Sequence, residues 1–188
     1  MKRDIAKIKK LIIQAADKSE SEQMGKNKVW TSNLNNQFID YAHNEGFSIY
    51  SKTQGSDWGE WLYDITICKQ TKDYINETFL VAESEWNSKE EEIWNDFQKL
   101  LLCNSKYKVM IFAQTDEQKR NEMFTHMENQ IKLYKNSNGI FLLACYVVGT
   151  GYDFKQIPAS LPFKNKPCNH RLSHFSQITR RHEPSKQH

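Results

Sequence analysis

The sequence predicts an α/β domain in which helices flank a mixed central β-sheet. The order of hydrophobic periods is the first reason: helix, helix, strand, strand, strand, helix, strand, helix, strand. The second is connectivity. A polar link at 69–76 is short enough for an antiparallel hairpin, whereas the helix before the strand at 107–113 implies a crossover and parallel pairing with the strand at 79–86. The third is size, since 188 residues at 38% hydrophobic and 12% aromatic content can build one core.

Residues 3–18 set Ile5, Ile8, Leu11, Ile12 and Ala15 on one helical face, with lysines on the other. That face fits the body of the domain or a second copy, so a homodimer is among the expected partners. Residues 19–28 are polar, contain Gly25 and read as a loop. A second helix, capped by Thr31 or Ser32, buries Leu34, Phe38, Tyr41 and Ala42 and stops at Gly46. Residues 47–52 alternate as a strand, and 53–59 form a turn.

The strand predicted at 60–68 is apolar on both faces except for Asp64, which suggests a central position. The next strand, 79–86, places Phe79, Val81, Glu83 and Glu85 on one face at period two. A helix follows, with Asn87 or Ser88 at its cap, an acidic first turn, and Ile93, Phe97, Leu100 and Leu101 buried before it ends near Asn104. The strand at 107–113, a helix at 116–135 burying Met123, Met127, Ile131 and Tyr134, and a core strand at 139–148 complete the pattern. The chain thus divides into an N-terminal amphipathic helix and loop at 1–28, an α/β core at 29–150, and a proline-containing basic tail at 151–188 that is expected to be loosely ordered.

Charge is unevenly spread. Residues 164–188 hold six of the 26 basic and one of the 23 acidic residues, a net +5, leaving −2 for the rest of the formal +3. A tail of that sign can lie on a phosphate backbone or serve only solubility. No apolar run reaches membrane-spanning length and no apolar segment follows the basic start, so the expectation is a cytoplasmic protein without a membrane partner. Cys68, Cys103, Cys145 and Cys168 lack paired spacing and read as reduced thiols. Cys168, His170, His174 and His182 offer zinc-ligand types, but a single cysteine with irregular histidine spacing in a proline-flanked tail reads rather as an unstructured segment. Trp58, Trp61, Trp86 and Trp94 flank the acidic strands and either stack bases, line a cleft or sit in the core.

The acids carry the functional signal. An ionised carboxylate at the edge of a core needs a positive partner, and adjacent carboxylates repel, so Asp64, Glu83 and Glu85 on neighbouring strands form a candidate divalent-cation site.

With that order and those acids, residues 30–148 resemble the PD-(D/E)xK nuclease superfamily, the restriction-endonuclease-like fold. The resemblance implies that Asp64 and Glu83 ligate Mg²⁺, with Mn²⁺ able to substitute, and that the position two beyond Glu83 helps to activate water. In this chain that position is Glu85 rather than the usual lysine, and no proline precedes Asp64. Some restriction endonucleases of the family carry the same Glu-x-Glu variant. A lysine can also come from the following helix, where Lys99 is available although its phase sets it opposite the Ile93, Phe97, Leu100 stripe. The implied activity is Mg²⁺-dependent hydrolysis of DNA; the alternative is an inactive member serving as a DNA-binding or protein-interaction module.

Overall fold

Isoleucine spacing seats the first element. Helix α1 (Lys2–Ser21) turns Ile5, Ile8, Ile12 and Ala15 onto helix α2 (Asn27–Asn44) and onto one face of the sheet, with its apolar stripe buried within the same chain. Both ends of α1 are also held by phenols from the strands: Tyr107 Oη donates to Asp4 Oδ2 at 2.6 Å, and Tyr146 Oη to Glu20 Oε1 at 2.7 Å. The face that admitted a dimer is therefore occupied internally. The computed structural model describes residues 2–22, 27–72 and 74–159. Part of the expected loop at 19–28, with Gly25, and everything from 160 onward, with the basic tail, Cys168 and its neighbouring histidines, lie outside the described residues.

Strands β1 (Ser48–Ser51), β2 (Ile65–Thr71) and β3 (Tyr74–Glu85) follow. Helix α3 (Glu90–Leu102) then leads to β4 (Tyr107–Gln114), helix α4 (Glu117–Leu133) to β5 (Ile140–Val147), and β6 (Gly151–Pro158) closes the sheet. The six strands lie side by side in chain order. The pairs β1–β2, β2–β3 and β5–β6 are antiparallel, and β3–β4 and β4–β5 are parallel. The predicted mixed α/β sheet, its hairpin and its crossover are all present, with one strand more than expected.

Alternation along the strands feeds two apolar layers. Ile65, Ile67, Leu80, Ala82, Val109, Ile111, Leu142 and Ala144 face α1 and α2, while Val81, Met110, Phe112, Phe141, Leu143 and Cys145 face α3 and α4. Helix α3 buries the four residues expected of it, Ile93, Phe97, Leu100 and Leu101. Cys68 and Cys145 are buried and Cys103 partly so, all three free. Among the described residues no helix is long and apolar enough to cross a membrane.

Several boundaries differ from expectation for identifiable reasons. Thr31 does not cap α2: its hydroxyl donates back to the Asn27 carbonyl at 3.2 Å and accepts from Trp86 Nε1 at 2.9 Å, so it sits inside the helix. Strand β2 begins at Ile65 rather than at 60, so Asp64 precedes the strand, and Trp61 and Leu62 are exposed instead of buried. A bulge skips Phe79, because Leu80 pairs with Ile67 and Thr78 with Cys68. Phe79 accordingly packs with Tyr41, Phe47 and Tyr107 on the α1–α2 side and does not share a face with Val81 and Glu83. Residues 151–158, assigned to the tail, form edge strand β6, whose many half-exposed residues and terminal Gly151 and Pro158 conceal the strand pattern.

Gly139 sets the entry to β5. Its φ is +73°, and a Cβ there would stand 2.4 Å from the Ser105 carbonyl oxygen and 2.8 Å from that of Lys106. Left-handed backbone strain and a clash with main chain together predict that Gly139→Ala destabilises by about 2–4 kcal/mol, read as a lowered urea midpoint at unchanged slope. An unchanged midpoint would show that the 105–106 turn gives way freely.

Candidate functional site

The end of β3 carries the expected acids, and each is fixed differently. Asp64 lies one residue before β2, directly beyond the Ile65–Ala82 pair, which sets it across from Glu83 on the sheet face shared by Thr66 and Val81. Its Oδ2 accepts from both the amide and the hydroxyl of Ser84, each at 2.9 Å, so the carboxylate is pinned to the end of β3. Glu83 points toward α3 and is only 1% exposed. Glu85 bends back: its Oε1 accepts from the Asn87 amide at 2.6 Å and braces the turn into α3.

Lys99 enters this cluster from α3. Its Nζ stands 2.7 Å from Asp96 Oδ1 and 3.2 Å from Glu83 Oε1. The second pair is an ion pair without hydrogen-bond alignment, which leaves Glu83 Oε1 buried and without a hydrogen bond. Helical phase argued against Lys99 because it considers the Cα alone. The long flexible stem carries the ammonium back past Asp96 to the sheet.

Electrostatics follow from that crowding. Burial, and then the charge of Asp64, push Glu83 up to about 7 against the pull of Lys99. Burial also raises Asp64, with Glu60 and Asp96 adding to the rise and the Ser84 bonds opposing it. Glu85 is raised by burial and by Asp96, Glu92 and Asp64. For Lys99 burial works downward, but the bond to Asp96 and the charges of Glu83 and Asp96 outweigh it, so the ammonium is held above its ordinary range. The site is thus a knot of desolvated acid around one firmly protonated lysine.

A second lysine is buried nearby without a carboxylate. Lys108 on β4 is 0% exposed, its Nζ has no hydrogen-bond partner, and it lies 4.8 Å from the centroid of the Phe141 ring. Burial depresses its pKa.

Asp64, Glu83 and Lys99 are brought together; Glu85 is close in charge but committed to the turn. Sequence reasoning missed the anchoring role of Ser84 and the pairing of Asp96 with Lys99. The i,i+3 spacing of Asp96 and Lys99 was the available signal for the latter. Among the described residues no three His, Cys, Asp or Glu side chains form a ready-made metal-holding group. The residues nevertheless suit a hard cation that keeps most of its waters: two neighbouring carboxylates, one of them with a buried oxygen whose counter-charge is Lys99 Nζ at 3.2 Å. No protein-family model, curated protein or solved structure matches this chain.

Proposed function

We propose that the chain is a Mg²⁺-dependent nuclease of the PD-(D/E)xK type acting on DNA, with Asp64 and Glu83 as metal ligands, Glu85 positioning or activating water and Lys99 supplying positive charge beside them. One observation carries the reading: the ammonium of Lys99 reaches Glu83 from α3, supplying the cation that the Glu83-Ser84-Glu85 segment lacks. When bound, Mg²⁺ or Mn²⁺ supplies Lewis acidity, making water more acidic and offsetting charge on the phosphate.

The chain's own groups do the rest. Ser84 holds the Asp64 carboxylate in one orientation, and Asp96 keeps Lys99 both charged and directed at Glu83. A lysine so firmly protonated acts as an electrostatic stabiliser of negative charge building on the phosphoryl oxygens, not as a base. Glu85 stands at the position where the resemblance expects the water-activating group, and its Oε1 accepts from the Asn87 amide.

The test is nicking of supercoiled plasmid with Mg²⁺ and with EDTA. Asp64→Asn and Lys99→Ala are each expected to slow Mg²⁺-dependent nicking by about 10²–10³-fold. Nicking at full rate in Asp64→Asn overturns the assignment. A non-catalytic module is the second reading, and the Lys99–Glu83 pair favours it in one respect, because Lys99 already partly neutralises the acid without metal. DNA binding with no cleavage under any cation selects that reading.

A further inference from the structure

The described helices leave the front face of β1 and β2 uncovered, although Thr66 on that face is buried. Helix α2 packs on β1 and β2 from behind, and α3 and α4 pack on β3 to β6. Tyr50 belongs to the open face, since it pairs with Thr66, which pairs with Val81. After β1 the chain loops round and passes parallel to that strand along its free edge, where the Asp57 and Trp58 amides donate to the Ile49 carbonyl and the Ser51 amide donates to that of Trp58. It then passes through Glu60 and Trp61 to reach Asp64.

This detour leaves an unusual surface. Trp58 and Trp61 are 57% and 58% exposed. Trp58 lies nearly parallel to Tyr50, at 22° and 6.2 Å between centroids, and Trp61 approaches the same ring at 6.0 Å. Together with Gly59, Glu60 and Ile75 these rings line a hollow of about 320 Å³. Three of its six lining residues are aromatic, the chemistry that accepts another flat ring by stacking.

One lining residue, Glu60, links the hollow to the acids by charge. Glu60, on its rim, pairs with Lys52 at 2.8 Å. The charge of Glu60 is felt at Asp64, and those of Asp64 and Glu83 at Lys52. A strand with one base on the aromatic shelf would pass its next phosphate by Lys52 toward Asp64 and Glu83.

We infer that Tyr50, Trp58 and Trp61 form a stacking shelf for an unpaired nucleobase, so that the preferred substrate is single-stranded or locally unpaired nucleic acid rather than uninterrupted duplex. Only an unpaired base has a ring face free to stack there. The inference rests on the nuclease reading for where the scissile phosphate lies, but the shelf can be tested separately.

The experiment measures binding of the full chain in EDTA to a fluorescent single-stranded DNA oligonucleotide, an RNA of the same sequence and the blunt DNA duplex, with cleavage of the same DNAs followed in Mg²⁺. Wild type is expected to bind a single strand, with quenching of its tryptophan emission. Trp58→Ala and Trp61→Ala are each expected to weaken that binding about tenfold, while Trp58→Phe retains most of it. The RNA arm decides which sugar is preferred. Unchanged affinity in both alanine variants, stronger binding of the duplex, or no binding of any oligonucleotide by the wild type overturns the shelf; the last outcome leaves an apolar protein partner as its occupant. Loss of binding in the tryptophan variants with no cleavage by any form keeps the shelf and rejects the nuclease. Metal-dependent cleavage with unaltered KM in both alanine variants does the reverse.

Discussion

Glu83→Gln is expected to melt higher than the wild type at about pH 8 in EDTA and to lose the response to Mg²⁺. Glu83 ionises in the unfolded chain at its ordinary value of 4.5, whereas burial and the Asp64 charge move it to about 7 in the fold. Below 4.5 the group is protonated in both states and contributes nothing to the difference. Between 4.5 and about 7 the unfolded chain loses its proton first, so stability falls as pH rises, and above 7 the whole penalty is present. A shift of that size corresponds to about 3 kcal/mol, or up to about 10 °C in melting temperature for a domain of this length. Glutamine removes the titration and flattens the profile across that window. Added Mg²⁺ is expected to restore the wild type and leave the variant where it was. Melting curves from about pH 4 to pH 8, with and without Mg²⁺, read both effects. A wild-type profile that does not fall through that range would mean that Lys99 already cancels the cost.

Lys108→Met is expected to stabilise the protein by about 1–4 kcal/mol at neutral pH and to leave plasmid nicking unchanged. The ammonium of Lys108 has no hydrogen bond, and its contact with the Phe141 ring contributes up to about 2 kcal/mol against a desolvation cost of several. Methionine keeps an unbranched apolar stem of similar reach and removes the charge. The pH dependence runs opposite to that of Glu83. Because the folded pKa of Lys108 lies below its ordinary 10.5, the penalty is complete below the folded value and is relieved as pH rises toward 10.5. Wild-type stability therefore gains in alkali a contribution that the variant lacks. Denaturant midpoints over that range test it, and a variant less stable than the wild type at neutral pH would show that the ring contact outweighs desolvation.

Much of the architecture is legible because burial imposes period and phase. The stripe Ile93, Phe97, Leu100, Leu101 and the runs that became β4 and β5 have one economical solution each. Legibility fails where the backbone departs from period. The bulge at Phe79 reverses the face of that residue, and no pattern of residue types marks it. Asp64, read as a mid-strand anomaly, is instead the residue before the strand, which explains how a strand-disfavouring type is accommodated. Within the site, the pairing of Asp64 with Glu83 follows from register and was accessible. The reach of Lys99 depends on a flexible side chain and the bond between Asp64 and Ser84 on a local bend; neither is encoded in periodicity.

The two phenol contacts on α1 bear on how the helix finds its seat. Asp4 and Glu20 are separated by about 24 Å along the axis, at about 1.5 Å per residue. The isoleucines at 5, 8 and 12 resemble one another, so grease alone discriminates poorly between this seating and one displaced by a turn of about 5.4 Å. The tyrosines act as the two end marks of a ruler: sliding by one turn would forfeit both marks at once, so the polar pins refine an alignment that the apolar stripe sets broadly.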